Sequence, residues 1–122
     1  MKKLLVIGLI AGLATLTSCK RNDGTKVEFD SPKEGMEYKS PINMVVRFSN
    51  NASKIEFIKI KVYRKSNPTS ILYNYDKEIN TKEHAIGEQF EVNVSQKTEL
   101  ILEYETGQKI QVKGAHKFYV IP

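Results

Sequence analysis

Cysteine, histidine and tryptophan are scarce in this chain, and each scarcity removes a class of chemistry. One cysteine, Cys19, leaves no internal disulfide, so the fold must hold by its core alone. Two histidines, His84 and His116, give little from which to assemble a metal centre or a proton-transfer site. The absence of tryptophan weakens a sugar-stacking reading. There is no glycine-rich phosphate loop, no Gly-x-Ser-x-Gly elbow and no His-Glu-x-x-His pair; Glu83-His84 stands alone. No stretch keeps helical apolar spacing over three turns, and there are no repeats or low-complexity segments.

The termini of the chain differ in kind. Lys2 and Lys3 precede an apolar run, Leu4 to Leu16, of a length suited to an export signal and too short to span a bilayer as a helix. From Cys19 to Pro122 about a hundred residues remain, the size of one domain. The whole chain carries a net charge of +5. Its basic residues are spread at alternating positions, as at Lys59, Lys61, Lys109 and Lys113, which fits a solvated sheet face. No motif points to nucleic acid.

The four residues Leu16-Thr17-Ser18-Cys19 follow the apolar run, with small side chains just before the cysteine. They resemble a bacterial lipobox, where a diacylglyceryl group is attached to the cysteine thiol before cleavage. The competing reading is an ordinary secretory signal with a cysteine near its end. The resemblance implies a signal peptide over 1–18, lipidation at Cys19, a lipidated tether over 19–26 and a domain over 27–122. It implies attachment to a membrane through lipid, held by about 0.8 kcal/mol per buried methylene. Lys20 and Arg21 follow directly and suit anionic head groups. By similarity to enterobacterial lipoproteins, Lys20 after the cysteine favours the outer membrane, with periplasmic face and cell surface both open.

From Val27 onward apolar residues recur with period two. Val27 and Phe29 open a strand, and Ser31-Pro32-Lys33-Glu34-Gly35 reads as a turn. Met36 and Tyr38 fit a short strand. Ile42, Met44, Val46 and Phe48 share one face, and Asn50-Asn51 reads as a turn. Lys54 to Arg64 is the strongest strand; its apolar parity switches between Phe57 and Ile58, which predicts a bulge there or a strand start buried on both faces. Lys65 to Ser70 reads as a loop, Ile71 to Tyr75 as a short strand, and Asp76 to Gly87 as a long polar connection. Phe90, Val92 and Val94 predict the next strand, then Leu100, Leu102 and Tyr104. Glu105-Thr106-Gly107-Gln108 reads as a hairpin turn, Ile110 and Val112 return from it, Gly114 breaks the chain, and Phe118 and Val120 end it.

Seven to eight short strands predict an all-β antiparallel sandwich. The opening strand with its Ser-Pro-x-x-Gly turn and the closing hairpin from Glu103 to Val120 resemble bacterial immunoglobulin-like domains, without the tryptophan and cysteine pair of antibody domains.

The sequence points to no catalytic set, no metal site and no cofactor. His84 falls in the polar connection and reads as an exposed loop residue; His116 reads as an edge residue. Glu103 and Glu105 share a strand face but lack the loop that calcium sites use. The tyrosines remain, with Tyr73 and Tyr75 forming a row able to stack on a sugar or pack at an interface. The expectation is a membrane-anchored, non-catalytic lipoprotein that binds or assembles with an envelope protein, of unspecified oligomeric state. The alternatives are a surface lipoprotein capturing carbohydrate or another ligand through Tyr73 and Tyr75, and an inhibitor of a lytic enzyme using the Lys65 to Ser70 loop.

Overall fold

A computed structural model describes residues 24–108 and 111–122. The expectations for the signal segment, for Cys19 and for most of the tether therefore lie outside the described residues. Within them the chain forms eight strands: β1 (Lys26–Ser31), β2 (Glu37–Lys39), β3 (Ile42–Ser49), β4 (Ile55–Arg64), β5 (Asn67–Thr81), β6 (Glu83–Phe90), β7 (Thr98–Gly107) and β8 (Gln111–Ile121). They make a three-stranded sheet in the order β1-β3-β6 and a five-stranded sheet in the order β2-β8-β7-β4-β5. The predicted all-β sandwich is what forms.

Period-two alternation builds the core. Ile42, Met44, Val46 and Phe48 of β3 face Ile58, Ile60 and Val62 of β4 and Leu100 and Leu102 of β7, all buried in one cluster. Phe118 and Val120 extend it along β8. Each such side chain contributes about 1.5–3 kcal/mol by leaving water, enough in sum to replace the missing disulfide. The parity switch in β4 is real: Ile55 and Ile58 are both buried, and the pairing with β5 shifts register between Ile55 and Phe57. That lies one step before the expected place and not on the expected strand. The extra residue sits on β5, where Asn80 takes φ 54°, a conformation that asparagine tolerates better than most residues.

Several boundaries differ from expectation. Asp76 to Gly87 is not a connection: β5 continues to Thr81 and β6 starts at Glu83. These two strands lie at sheet edges and bury few side chains, so they carry little apolar signal. The loop expected from Lys65 to Ser70 shrinks to a turn at Lys65-Ser66, with β5 starting at Asn67. Phe90, Val92 and Val94 do not share a strand, because β6 ends at Phe90. Val92 is buried as part of a segment tucked against the core, its N–H donating to Ser40 Oγ at 2.9 Å. Glu105 and Thr106 belong to β7, and Gly107, at φ 124°, pairs with Gln111, so the hairpin turns later than expected.

Gly114 does not break the chain. It lies within β8 opposite Tyr104, whose ring covers it so closely that a Cβ there would fall 2.4 Å from the ring. Glycine here marks a close approach rather than a stop. One pairing is parallel, between β2 and β8. It arises because the turn after β1 carries the chain from the edge of one sheet to the edge of the other, fixed by Gly35 N–H donating to the Lys117 carbonyl at 2.8 Å.

Candidate functional site

Tyr73 and Tyr75 point inward from β5 toward β6. They are 8% and 6% exposed, so neither ring offers the free face that stacking on a sugar needs. The Tyr73 hydroxyl donates to Glu88 Oε1 at 2.6 Å, and its ring packs on Phe90 at 5.1 Å. The Tyr75 hydroxyl shares a 2.7 Å hydrogen bond with His84 Nε2. Burial, then the Glu88 hydrogen bond and charge, pushes the Tyr73 phenol far above its ordinary range. Burial and Glu88 also raise the Tyr75 phenol. Both stay protonated, Tyr73 donating to Glu88 and Tyr75 sharing its hydrogen bond with His84, and together they close the seam between the two sheets.

The histidines have structural partners as well. His84 is a half-buried strand residue rather than an exposed loop residue. His116 lies within β8, packs edge-on against Phe29 at 5.0 Å, and its Nε2–H donates to the Pro32 carbonyl at 2.9 Å. Among the described residues no three His, Cys, Asp or Glu side chains sit together in a way that could hold a metal ion. Cys19 lies outside the described residues.

The remaining candidate is the outer face of the five-stranded sheet. Strand register sets Asp76, Lys59, Glu105 and Lys113 side by side on β5, β4, β7 and β8. The signs run minus, plus, minus, plus across four strands. None of these four forms an ion pair within 4 Å among the described residues. In the next row Lys61 and Glu103 pair at 3.7 Å, and the Tyr63 hydroxyl donates to Glu103 at 2.6 Å. That hydrogen bond, with burial and the carboxylate charge, raises the Tyr63 phenol. Beside them the small residues Gly114 and Ala115 leave a shallow trough of about 600 Å³. A third row runs Ile71, Tyr63, Ile101 and Lys117, apolar on its two central strands.

The lysines and the two glutamates of this face were visible as alternating residues in the sequence. Their alignment was not, because Asp76 read as loop and Gly114 as a break. The detectable signal is the phase: charged residues at 59 and 61, 103 and 105, and 113 fall opposite the buried parity of each strand.

No family model matches the chain, and no curated protein matches it. Solved structures do. CopC from Methylosinus trichosporium OB3b is similar at 13% identity over 80% of this chain and 94% of that one, with a TM-score of 0.54. An endo-beta-1,4-mannanase from Thermotoga petrophila is similar at 18% identity over 80% of this chain, with a TM-score of 0.50. The match covers 20% of the mannanase, so the chain corresponds to a small part of it. At these identities the likeness shows the fold alone: an immunoglobulin-like β-sandwich.

Proposed function

We propose that this chain is a non-catalytic protein-binding module of the bacterial envelope, lipidated at Cys19 and held at the outer membrane. The observation that carries the binding role is the terminal strand β5. It is fifteen residues long, and its second edge bears no strand among the described residues. From Tyr73 to Glu78 it pairs with β4 without a bulge, so six residues present a regular open edge to which an extended segment can add. Charges at Asp76, Lys77 and Glu78 restrain indiscriminate pairing there.

Two further observations support the reading. Both histidines are held in hydrogen bonds within the fold. Thr25 is buried and accepts a hydrogen bond from Asn50 Nδ2 at 3.1 Å, fixing the chain to the sandwich just before β1. Only residues 20–24 then separate Cys19 from that fixed point, a reach of at most about 20 Å, which keeps the partner at the membrane. Glycan capture would require Tyr73 and Tyr75 to leave the core. Inhibition by a plugging loop is disfavoured by the two-residue turn at Lys65-Ser66.

A photo-crosslinking residue at Asp76, on the open edge, tests this in intact cells, with one at Lys33 as control. The expected result is a discrete adduct from position 76 to a protein other than this chain, one that depends on Cys19 and is absent from position 33. No adduct, or one that survives Cys19→Ala undiminished, contradicts the reading.

A further inference from the structure

We propose that the outer face of the five-stranded sheet is a self-recognition surface whose partner is a second copy of this chain. The inference goes beyond the envelope-partner reading, which concerns the β5 edge, and it holds with or without that reading.

It rests on the order of charges. Across β5, β4, β7 and β8 one row reads Asp76, Lys59, Glu105, Lys113. Reversing that order inverts every sign. Consider two copies placed face to face about a two-fold axis parallel to the strands, lying between β4 and β7. Each β4 then faces the other copy's β7, and each β5 faces the other copy's β8. Lys59 meets Glu105 of the second copy twice by symmetry, and Asp76 meets Lys113 twice. The adjacent row obeys the same rule, with Lys61 meeting Glu103. The row beyond sets Tyr63 against Ile101 on the central strands, apolar on apolar, and Ile71 against Lys117 on the outer ones. On the other side Phe57 meets Gly107, a ring over a residue without a side chain. A two-fold contact must be self-complementary in this way, and sheets packed face to face keep their strands nearly aligned.

Only sign orders that are antisymmetric about the centre of the four strands pass this test. A row of plus, plus, minus, minus pairs correctly about the same axis, but a row symmetric about its centre places like charges together throughout. Asp76, Lys59, Glu105 and Lys113 are exposed or half-exposed, and none is spent on an ion pair among the described residues. The trough beside Gly114 and Ala115 gives the opposing long side chains somewhere to lie. Four strands by seven residues outline about 19 by 23 Å. That places the contact at the low end of specific interfaces, a weak and reversible dimer. Attachment of both copies to one membrane raises their effective concentration.

The test uses the full chain purified in detergent, with its mass followed by sedimentation over a concentration series. Wild type is expected to dimerise reversibly and to dissociate as salt rises. Lys59→Glu and Glu105→Lys each place like charges together twice, and each is expected to weaken self-association by about tenfold or more. Mixing the two variants restores both contacts in a heterodimer, so the mixture is expected to dimerise near the wild-type concentration. That rescue also shows that both variants are folded. A wild type that stays monomeric at high micromolar concentration overturns the proposal. So does a mixture no more associated than either variant alone. Position 76 also lies in the charged row, so an adduct from it in cells speaks for the β5 edge only when its mass is not that of two copies of this chain; on that readout the two proposals fail separately.

Discussion

The two outward faces of the sandwich handle charge differently. On the three-stranded sheet Arg47 stands between two carboxylates, with Nη2 donating to Glu28 at 3.3 Å and Nη1 to Asp30 at 3.2 Å. Asn43 and Gln89 join across β3 and β6 at 2.8 Å. The central polar groups of that face satisfy one another. On the five-stranded sheet a row of four alternating charges forms no ion pair within 4 Å among the described residues, beside a row apolar on its central strands and a trough. A face whose polar groups already have partners gains little by leaving water, whereas an ordered row of unspent charges can choose its partner by register.

The largest expected effects lie beneath the faces, where each strand turns its other parity inward. Leu102 is fully buried on β7. Leu102→Ala should cost about 2–5 kcal/mol in chemical denaturation, whereas its neighbour Glu103→Ala should cost under about 1 kcal/mol. Equal costs would mean that β7 does not separate core from surface in this way. Gly114→Val comes next. Its side chain must displace the Tyr104 ring, and about 1–3 kcal/mol should be lost. Most of that loss should vanish when measured in a Tyr104→Ala background, where the obstruction is gone.

A smaller effect depends on pH. Folding raises the phenols of Tyr73 and Tyr75 above the tyrosine reference of about 10. Their contribution to stability is therefore complete below pH about 10 and declines as pH rises beyond it. Tyr73→Phe should lower stability near neutrality by about 1 kcal/mol through the lost bond to Glu88. It should also flatten the alkaline decline seen in unfolding curves; an unchanged alkaline slope would separate that decline from Tyr73. The smallest effect sharpens the contrast between the faces. Arg47→Ala should change stability by less than about 1 kcal/mol and leave self-association untouched, while Lys59→Ala should be equally mild in denaturation yet weaken self-association measurably.

The strands that cross the core were legible because their side chains divide cleanly, as in Ile42, Met44, Val46 and Phe48. The edge strands were not. β5 and β6 bury Tyr73, Tyr75 and Ile86 but few others, so most of their length reads as polar loop. Val92 misled in the opposite direction: a loop residue pressed into the core imitates strand alternation. Gly114 misled because its role is set by Tyr104, ten residues away on a partner strand. The same limit hid the charged row. Each strand's outward residues are visible singly, but their alignment depends on cross-strand register, and register depends on bulges such as the one at Asn80. The inward turn of Tyr73 and Tyr75 follows from that pairing too.

Zero-length carbodiimide crosslinking of an equal mixture of nitrogen-15-labelled and unlabelled chains tests the open row most directly. Within one chain Lys59 and Glu105 are neighbours, so a crosslink between them is informative only when its two peptides carry different labels. The expected result is a mixed-label Lys59–Glu105 crosslink that disappears in Lys59→Glu and weakens with salt. Crosslinks at this pair that always join peptides of one label would show that the row meets no second copy.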